Sequence, residues 1–221
     1  MVMPVSIDIV SDFVCPWCFI GKSHLAEALA LVRQEHPQAR FQCNWLPFFL
    51  NPGTPPEGEP YRKFMADKFG GESRALAMQQ RVVDAGLEAG VQFNFARIAL
   101  RPNTLRAHRL IHRAQSSGRA PADSAKLVDR LFAAYFQRGE DIGDIGVLAD
   151  IAAESGDQRT AVIAYLQSEE GLGEILALNR QVNDWGVSGV PFFVLAKRLG
   201  VAGAQPADVL AEAIRQAMAP P

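Results

Sequence analysis

The chain has 221 residues, 48% of them hydrophobic and 21% charged, with a formal net charge of −2. That balance excludes an intrinsically disordered chain, and so small a charge gives no general pull toward nucleic acid or an anionic membrane. Three cysteines are too few for a disulfide framework and point to reactive or metal-binding roles.

The opening Met1-Val2-Met3-Pro4 lacks the basic and apolar regions of a secretory signal, and no apolar run could span a bilayer, so a cytoplasmic location is expected. Val5 to Val10 is β-branched and alternating, which predicts a strand. A helix is expected from about Cys15 to Gln34, with Leu25, Leu29 and Val32 on one face, then a turn at Pro37. Arg40 to Phe48 predicts a second strand, completing a β-α-β unit with a parallel pair. Asn51 to Pro60 carries four prolines and two glycines and is expected to be a loop.

From Tyr61 to about Trp185 the pattern is helical. Asn103, Asp144 and Ser168 are expected helix caps, Ser168 with Glu169 and Glu170 in the first turn, and Pro121 is expected to open a helix. Val190 to Leu195 restores the strand signal, and Leu199 to Val201 is expected to pair with it as a hairpin. Gln205-Pro206 opens a last helix with Val209, Leu210, Ala213 and Ala217 expected on its inner face. The helical stretch therefore interrupts one α/β sheet.

Cys15-Pro16-Trp17-Cys18 carries the chemistry. A helix start offers unpaired N–H groups and a positive dipole end, which favour a thiolate at Cys15, the form that attacks disulfides. The i, i+3 spacing places both thiols on one helix face, with Cβ atoms about 5–6 Å apart. A disulfide prefers about 3.8 Å, so bridging is feasible but strained, which suits a catalyst more than a staple. Pro16 occupies a position where a helix tolerates proline, and Trp17 offers an apolar surface beside the nucleophile. A zinc site is disfavoured, since four ligands are needed and only Cys43 and scattered histidines remain. Proline at the start of a core strand is unusual, so Pro191 calls for a reason. In a thioredoxin-like sheet, the backbone of Val190 could pair with an extended substrate.

These elements resemble the DsbA-like thioredoxin family, and within it the FrnE-type branch. The resemblance rests on Ser11–Lys22 (SDFVCPWCFIGK), Pro102–Leu110, Leu131–Asp144, Gly186–Leu195 (GVSGVPFFVL) and Gly203–Pro206. It implies an α/β, thioredoxin-like fold with a large inserted all-helical domain, residues 1–55 and 186–221 forming the core and 56–185 the insertion. It further implies protein disulfide exchange through Cys15 and Cys18, with a cis bond before Pro191. The branch is similar to kappa-class glutathione transferases and 2-hydroxychromene-2-carboxylate isomerases, which carry serine where this chain has Cys15. That departure favours redox chemistry. By the same comparison Asn51, Val190 and Gln205 lie near where those relatives hold glutathione. No bound cofactor or metal is expected, and glutathione is left open as a co-substrate. The expected partners are protein or small-molecule thiols and disulfides, with neither nucleic acid nor membrane, and a homodimer is left open. Alternative activities are a glutathione-dependent transferase or isomerase and a redox-linked chaperone.

Cys43 is expected to be an inert core thiol. His108 and His112 share a helix face but flank Arg109 instead of a glutamate, so they are expected to be ordinary surface or domain-contact residues. Ala89 to Ala122 contains Arg97, Arg101, Arg106, Arg109, Arg113 and Arg119 and no acidic residue. A solvated basic helix face is the first expectation. The sharper one is that Arg101 or Arg106 holds an anionic substrate such as glutathione.

Overall fold

Alternating apolar residues put β1 (Val5–Ser11) at the centre of a sheet, followed by α1 (Pro16–Glu35) and β2 (Phe41–Pro47). A computed structural model describes residues 4–118 and 121–219, apart from the side chains of residues 121 and 122. After β2 come the two-residue strand β3 (Glu59–Pro60), α2 (Tyr61–Phe69), α3 (Glu72–Glu88) and β4 (Leu100–Arg101). Then follow α4 (Leu105–Ser116), α5 (Pro121–Ala133, extended by a π turn over Ala134–Arg138), α6 (Ile145–Glu154), α7 (Arg159–Gln167) and α8 (Leu172–Asp184). β5 (Phe192–Leu195), β6 (Leu199–Ala202) and α9 (Ala207–Met218) close the chain.

The sheet order is β2-β1-β5-β6. β1 runs parallel to β2, with Val5 opposite Phe41 and Ser11 opposite Pro47, and antiparallel to β5, with Ile9 opposite Phe193. β6 pairs antiparallel with β5 as a hairpin. This is a thioredoxin-like α/β core with a large helical insertion, within which β3 and β4 form a small ladder of their own.

The period of two along β1 sends Ile7 and Ile9 to one face, where they join Leu25, Leu29 and Val32 of α1 and Leu210 and Ile214 of α9. The same core runs on into the insertion. Phe19 of α1 stacks on Phe132 of α5 at 5.2 Å, and Phe13 meets the same ring at 5.2 Å. Val10 faces the other way, into a cluster with Phe48, Val182 of α8 and Val187. The first turn of α1 is thereby held between sheet and insertion.

Asp144 caps α6 as expected, accepting from Val147 N at 2.9 Å. Asn103 does not take the cap of α4: that position is Thr104, and Asn103, one residue earlier, accepts from Leu105 N at 3.0 Å while donating to Thr54 O at 2.7 Å. Ser168 does not cap a helix start. Its hydroxyl closes α7 by donating to Tyr165 O, and α8 begins only after Gly171, whose φ of +75° breaks the helix. A Cβ at Gly171 would come within 2.1 Å of the Tyr165 hydroxyl, so the close approach as well as the turn requires glycine. On α9, Val209 is 44% exposed, and Ala211 and Ile214 take the inner face with Leu210, Ala213 and Ala217.

The arginines of α4 are not a solvated face either. Arg109 is buried and donates to the carbonyls of Tyr165, Leu166, Ser168 and Glu170, most of them left without partners where α7 ends. Arg113 pairs with Asp157, and Arg106 donates to Gly143 O at 2.9 Å. Arg119 lies outside the described residues. Among the described residues no helix is long and apolar enough to cross a membrane.

Candidate active site

The loop from β1 delivers Cys15 to the cap position of α1, in extended backbone (φ −93°, ψ 111°), with its N–H donating to Asp12 O at 3.0 Å. Pro16 takes the first helical position, where its missing N–H costs nothing. The Cys15 side chain makes no capping bond. Instead its thiol donates to Val190 O at 3.6 Å, and the Val190–Pro191 peptide is cis. Gly21, one turn into α1 beyond Cys18, lies under Pro191: a Cβ there would stand 2.9 Å from Pro191 Cγ. Helix and proline loop therefore meet at a glycine.

The two thiols differ. Both are free; Cys15 is 4% exposed and lines a cavity of about 300 Å³, while Cys18 is 1% exposed and lies behind it. Burial pushes the Cys18 thiol well above its ordinary range, and the adjacent Cys15 adds to this, against the Ser11 hydroxyl and the Asp12 backbone. Trp17, 40% exposed, stands at the rim.

Of the residues singled out from the sequence, Pro16, Trp17, Asn51 and Val190 line the cavity with Cys15. Pro191 is buried behind Val190. Gln205 is exposed before α9, its amide donating to Ala202 O and its carbonyl facing His24 Nδ1 at 2.9 Å, and it is not among the cavity-lining residues. Arg101 reaches the cavity, whereas Arg106 is committed to Gly143. Cys43 is half-buried on β2 opposite Ile7, and burial pushes its thiol up.

Two features escaped the sequence reading. Asp12, buried, accepts from Leu50 N at 3.0 Å through Oδ2, and its Oδ1 faces His108 Nε2 at 3.4 Å. His108 is held between the rings of Phe13 and Phe49, contacts that tie α4 to the loop before Cys15. The far wall of the cavity, from α2 and α3, was also unforeseen. It includes Tyr61, whose hydroxyl burial pushes up to about 12, against a hydrogen bond from Gln79. Among the described residues no cluster of three or more His, Cys, Asp or Glu side chains could hold a metal.

This geometry has a family. The DSBA-like thioredoxin domain matches residues 6–215. The chain belongs to the DsbA-like thioredoxin family. Membership gives the Cys15–Cys18 pair the setting of a thiol–disulfide oxidoreductase fold. A relative, the uncharacterized protein YwbO of Bacillus subtilis, is 27% identical over 213 residues, 96% of each chain. The crystal structure of a probable DsbA oxidoreductase from Streptomyces coelicolor is 28% identical with a TM-score of 0.87, covering 98% of this chain and 92% of that one. The cytosolic disulfide reductase DsbM of Pseudomonas aeruginosa, solved with GSH, shares the fold at 17% identity and a TM-score of 0.65, covering 96% of this chain and 98% of that one.

Proposed function

We propose that this chain is a protein thiol–disulfide oxidoreductase that exchanges disulfides through Cys15 and Cys18. The observation that carries the reading is the asymmetry of the pair: Cys15 faces the cavity beside the Val190 carbonyl at 3.6 Å, and Cys18 is sealed one turn behind. In the reducing direction the Cys15 thiolate attacks one sulfur of a substrate disulfide, forms a mixed disulfide and expels the other half as a thiolate. Cys18 then loses its proton and attacks Cys15 sulfur, releasing the second half as a thiolate and leaving the Cys15–Cys18 disulfide. Two electrons pass from the dithiol to the substrate, and the reduction potential sets which direction dominates.

Glutathione as a co-substrate is supported by the disulfide reductase of the same fold solved with GSH and by Asn51 and Val190 lining the cavity. The finer assignment to the FrnE-type branch rests on the sequence stretches around Cys15 and Pro191, and the helical domain over residues 56–185 on the helical pattern from Tyr61 to about Trp185. A dithiothreitol-driven insulin-reduction assay tests the function. The protein should accelerate reduction and Cys15→Ser should not; equal acceleration by Cys15→Ser would refute it. Turnover of a small electrophile only with glutathione would favour a transferase, and aggregation suppression independent of both cysteines a chaperone.

A further inference from the structure

The cavity beside Cys15 has a lopsided chemistry. Its outer wall comes from α2 and α3, where Phe64, Met65, Phe69 and Met78 present aromatic rings and adaptable thioethers. Its charged lining, among the described residues, consists of Lys68 and Arg101, with no carboxylate. Arg101 is 5% exposed; its Nε edge is bound to Glu59, its guanidinium stacks on Phe64 at 3.8 Å, and its buried Nη1 has no hydrogen-bond partner among the described residues. Glu59 offsets Arg101, but Lys68 has no carboxylate partner among the described residues and stands over the rings of Phe64 and Phe69 at 5.5 and 5.8 Å. The cavity is therefore apolar, aromatic and net positive.

Its volume of about 300 Å³ falls at the lower end of the roughly 300–1,000 Å³ of small-molecule sites. Because Cys15 lines this space, the group that flanks a reacting disulfide sulfur meets its lining. We infer that the small-molecule disulfide this site prefers is aromatic and carries a carboxylate, its ring against Phe64 and Phe69 and its anion toward Lys68, on the side of the buried, unpartnered Nη1 of Arg101. The inference rests on the disulfide-exchange reading and adds a substrate class to it. In a single turnover of the dithiol form, Cys15 takes one aryl-thio group and expels an arylthiolate. Cys18 then displaces the second arylthiolate, so one aryl disulfide is reduced to two arylthiolates as the protein is oxidised and two protons leave.

Three disulfides separate the contributions in stopped-flow reactions with the reduced protein: dithiobis(nitrobenzoate), aromatic and anionic; dithiodipyridine, aromatic and uncharged; and hydroxyethyl disulfide, neither. Each rate is divided by that of the same disulfide with free dithiothreitol, which removes intrinsic reactivity. The normalised rate should be about tenfold or more higher for dithiobis(nitrobenzoate) than for hydroxyethyl disulfide, the size of a single favourable contact of about 1.4 kcal/mol. Lys68→Glu, at an exposed position, should lower the dithiobis(nitrobenzoate) rate about tenfold more than the dithiodipyridine rate, and added salt should shrink that difference. Normalised rates equal for all three disulfides, or an equal fall for the charged and uncharged aryl disulfides in Lys68→Glu, would overturn the inference. Cys15→Ser should abolish the fast reaction with all three. Fast rates surviving in Cys15→Ser would instead sink the underlying exchange reading.

Discussion

Gly21 and Pro191 touch across the join between α1 and the loop that carries Val190: a methyl group on Gly21 would meet Pro191 Cγ at 2.9 Å and Phe193 Cζ at 3.3 Å. Alanine in a helix interior would ordinarily gain up to about 1 kcal/mol over glycine. Here the overlap should outweigh that gain, and Gly21→Ala should destabilise by about 1–3 kcal/mol, as overpacking does. Urea denaturation reads the stability. Because Val190 moves with Pro191, thiol exchange at Cys15 should also slow; a more stable Gly21→Ala protein with unchanged exchange would contradict the contact's role.

Alkylation should be selective. Iodoacetamide attacks thiolates, and burial holds both Cys18 and Cys43 above their ordinary range. Brief treatment of the reduced protein at neutral pH should label Cys15 alone, as read by peptide mass mapping. Comparable labelling of Cys18 would show that it is not sealed.

The same shifts make stability fall on the alkaline side. A raised thiol keeps its proton in the folded chain after the unfolded chain has lost it. The stabilisation from Cys18 and Cys43 is thus complete below an unfolded value of about 8.5 and is lost as pH climbs toward the folded values. The slope is at most about 1.4 kcal/mol per pH unit for each group. Tyr61 adds a similar loss between its ordinary value of about 10 and its folded value of about 12. Denaturation of the reduced protein at pH 8 and above should show a steeper decline for the wild type than for Cys18→Ala. Parallel declines would exclude Cys18 as a source.

Asp12→Ala should cost about 1–3 kcal/mol by leaving a backbone donor without its acceptor. It removes the acceptor of Leu50 N and the group facing His108 Nε2. Since Leu50 and Asn51 line the cavity, amide exchange of this loop should quicken in Asp12→Ala. Unchanged stability and exchange would show that the buried pair holds nothing.

The β-α-β start was legible because Ile7, Ile9, Leu25, Leu29 and Val32 follow the periods of strand and helix, and their partners are close in sequence. Cys15 and Pro16 were legible for the same reason, since a helix cap is a local feature. Asp12 and His108 were not: their relation arises only when α4 packs against the loop before α1, and nothing in either segment names the other. The α4 arginines looked like a solvated face because Arg109 and Arg106 are taken up by backbone carbonyls, at the end of α7 and at Gly143, which no residue type announces, and Arg113 by the distant Asp157. Phe64, Met65, Phe69 and Met78 show helical spacing, but periodicity does not tell which helix will close over a cysteine.

The most direct measurement is a trapping reaction on Cys18→Ser. Reduced and mixed with an excess of dithiobis(nitrobenzoate), this variant should hold one stable mixed disulfide, located at Cys15 by mass mapping, while the wild type passes to the internal disulfide and carries no adduct there. An adduct on Cys43 alone, or one on Cys15 that persists equally in the wild type, would contradict the division of labour between an attacking Cys15 and a resolving Cys18.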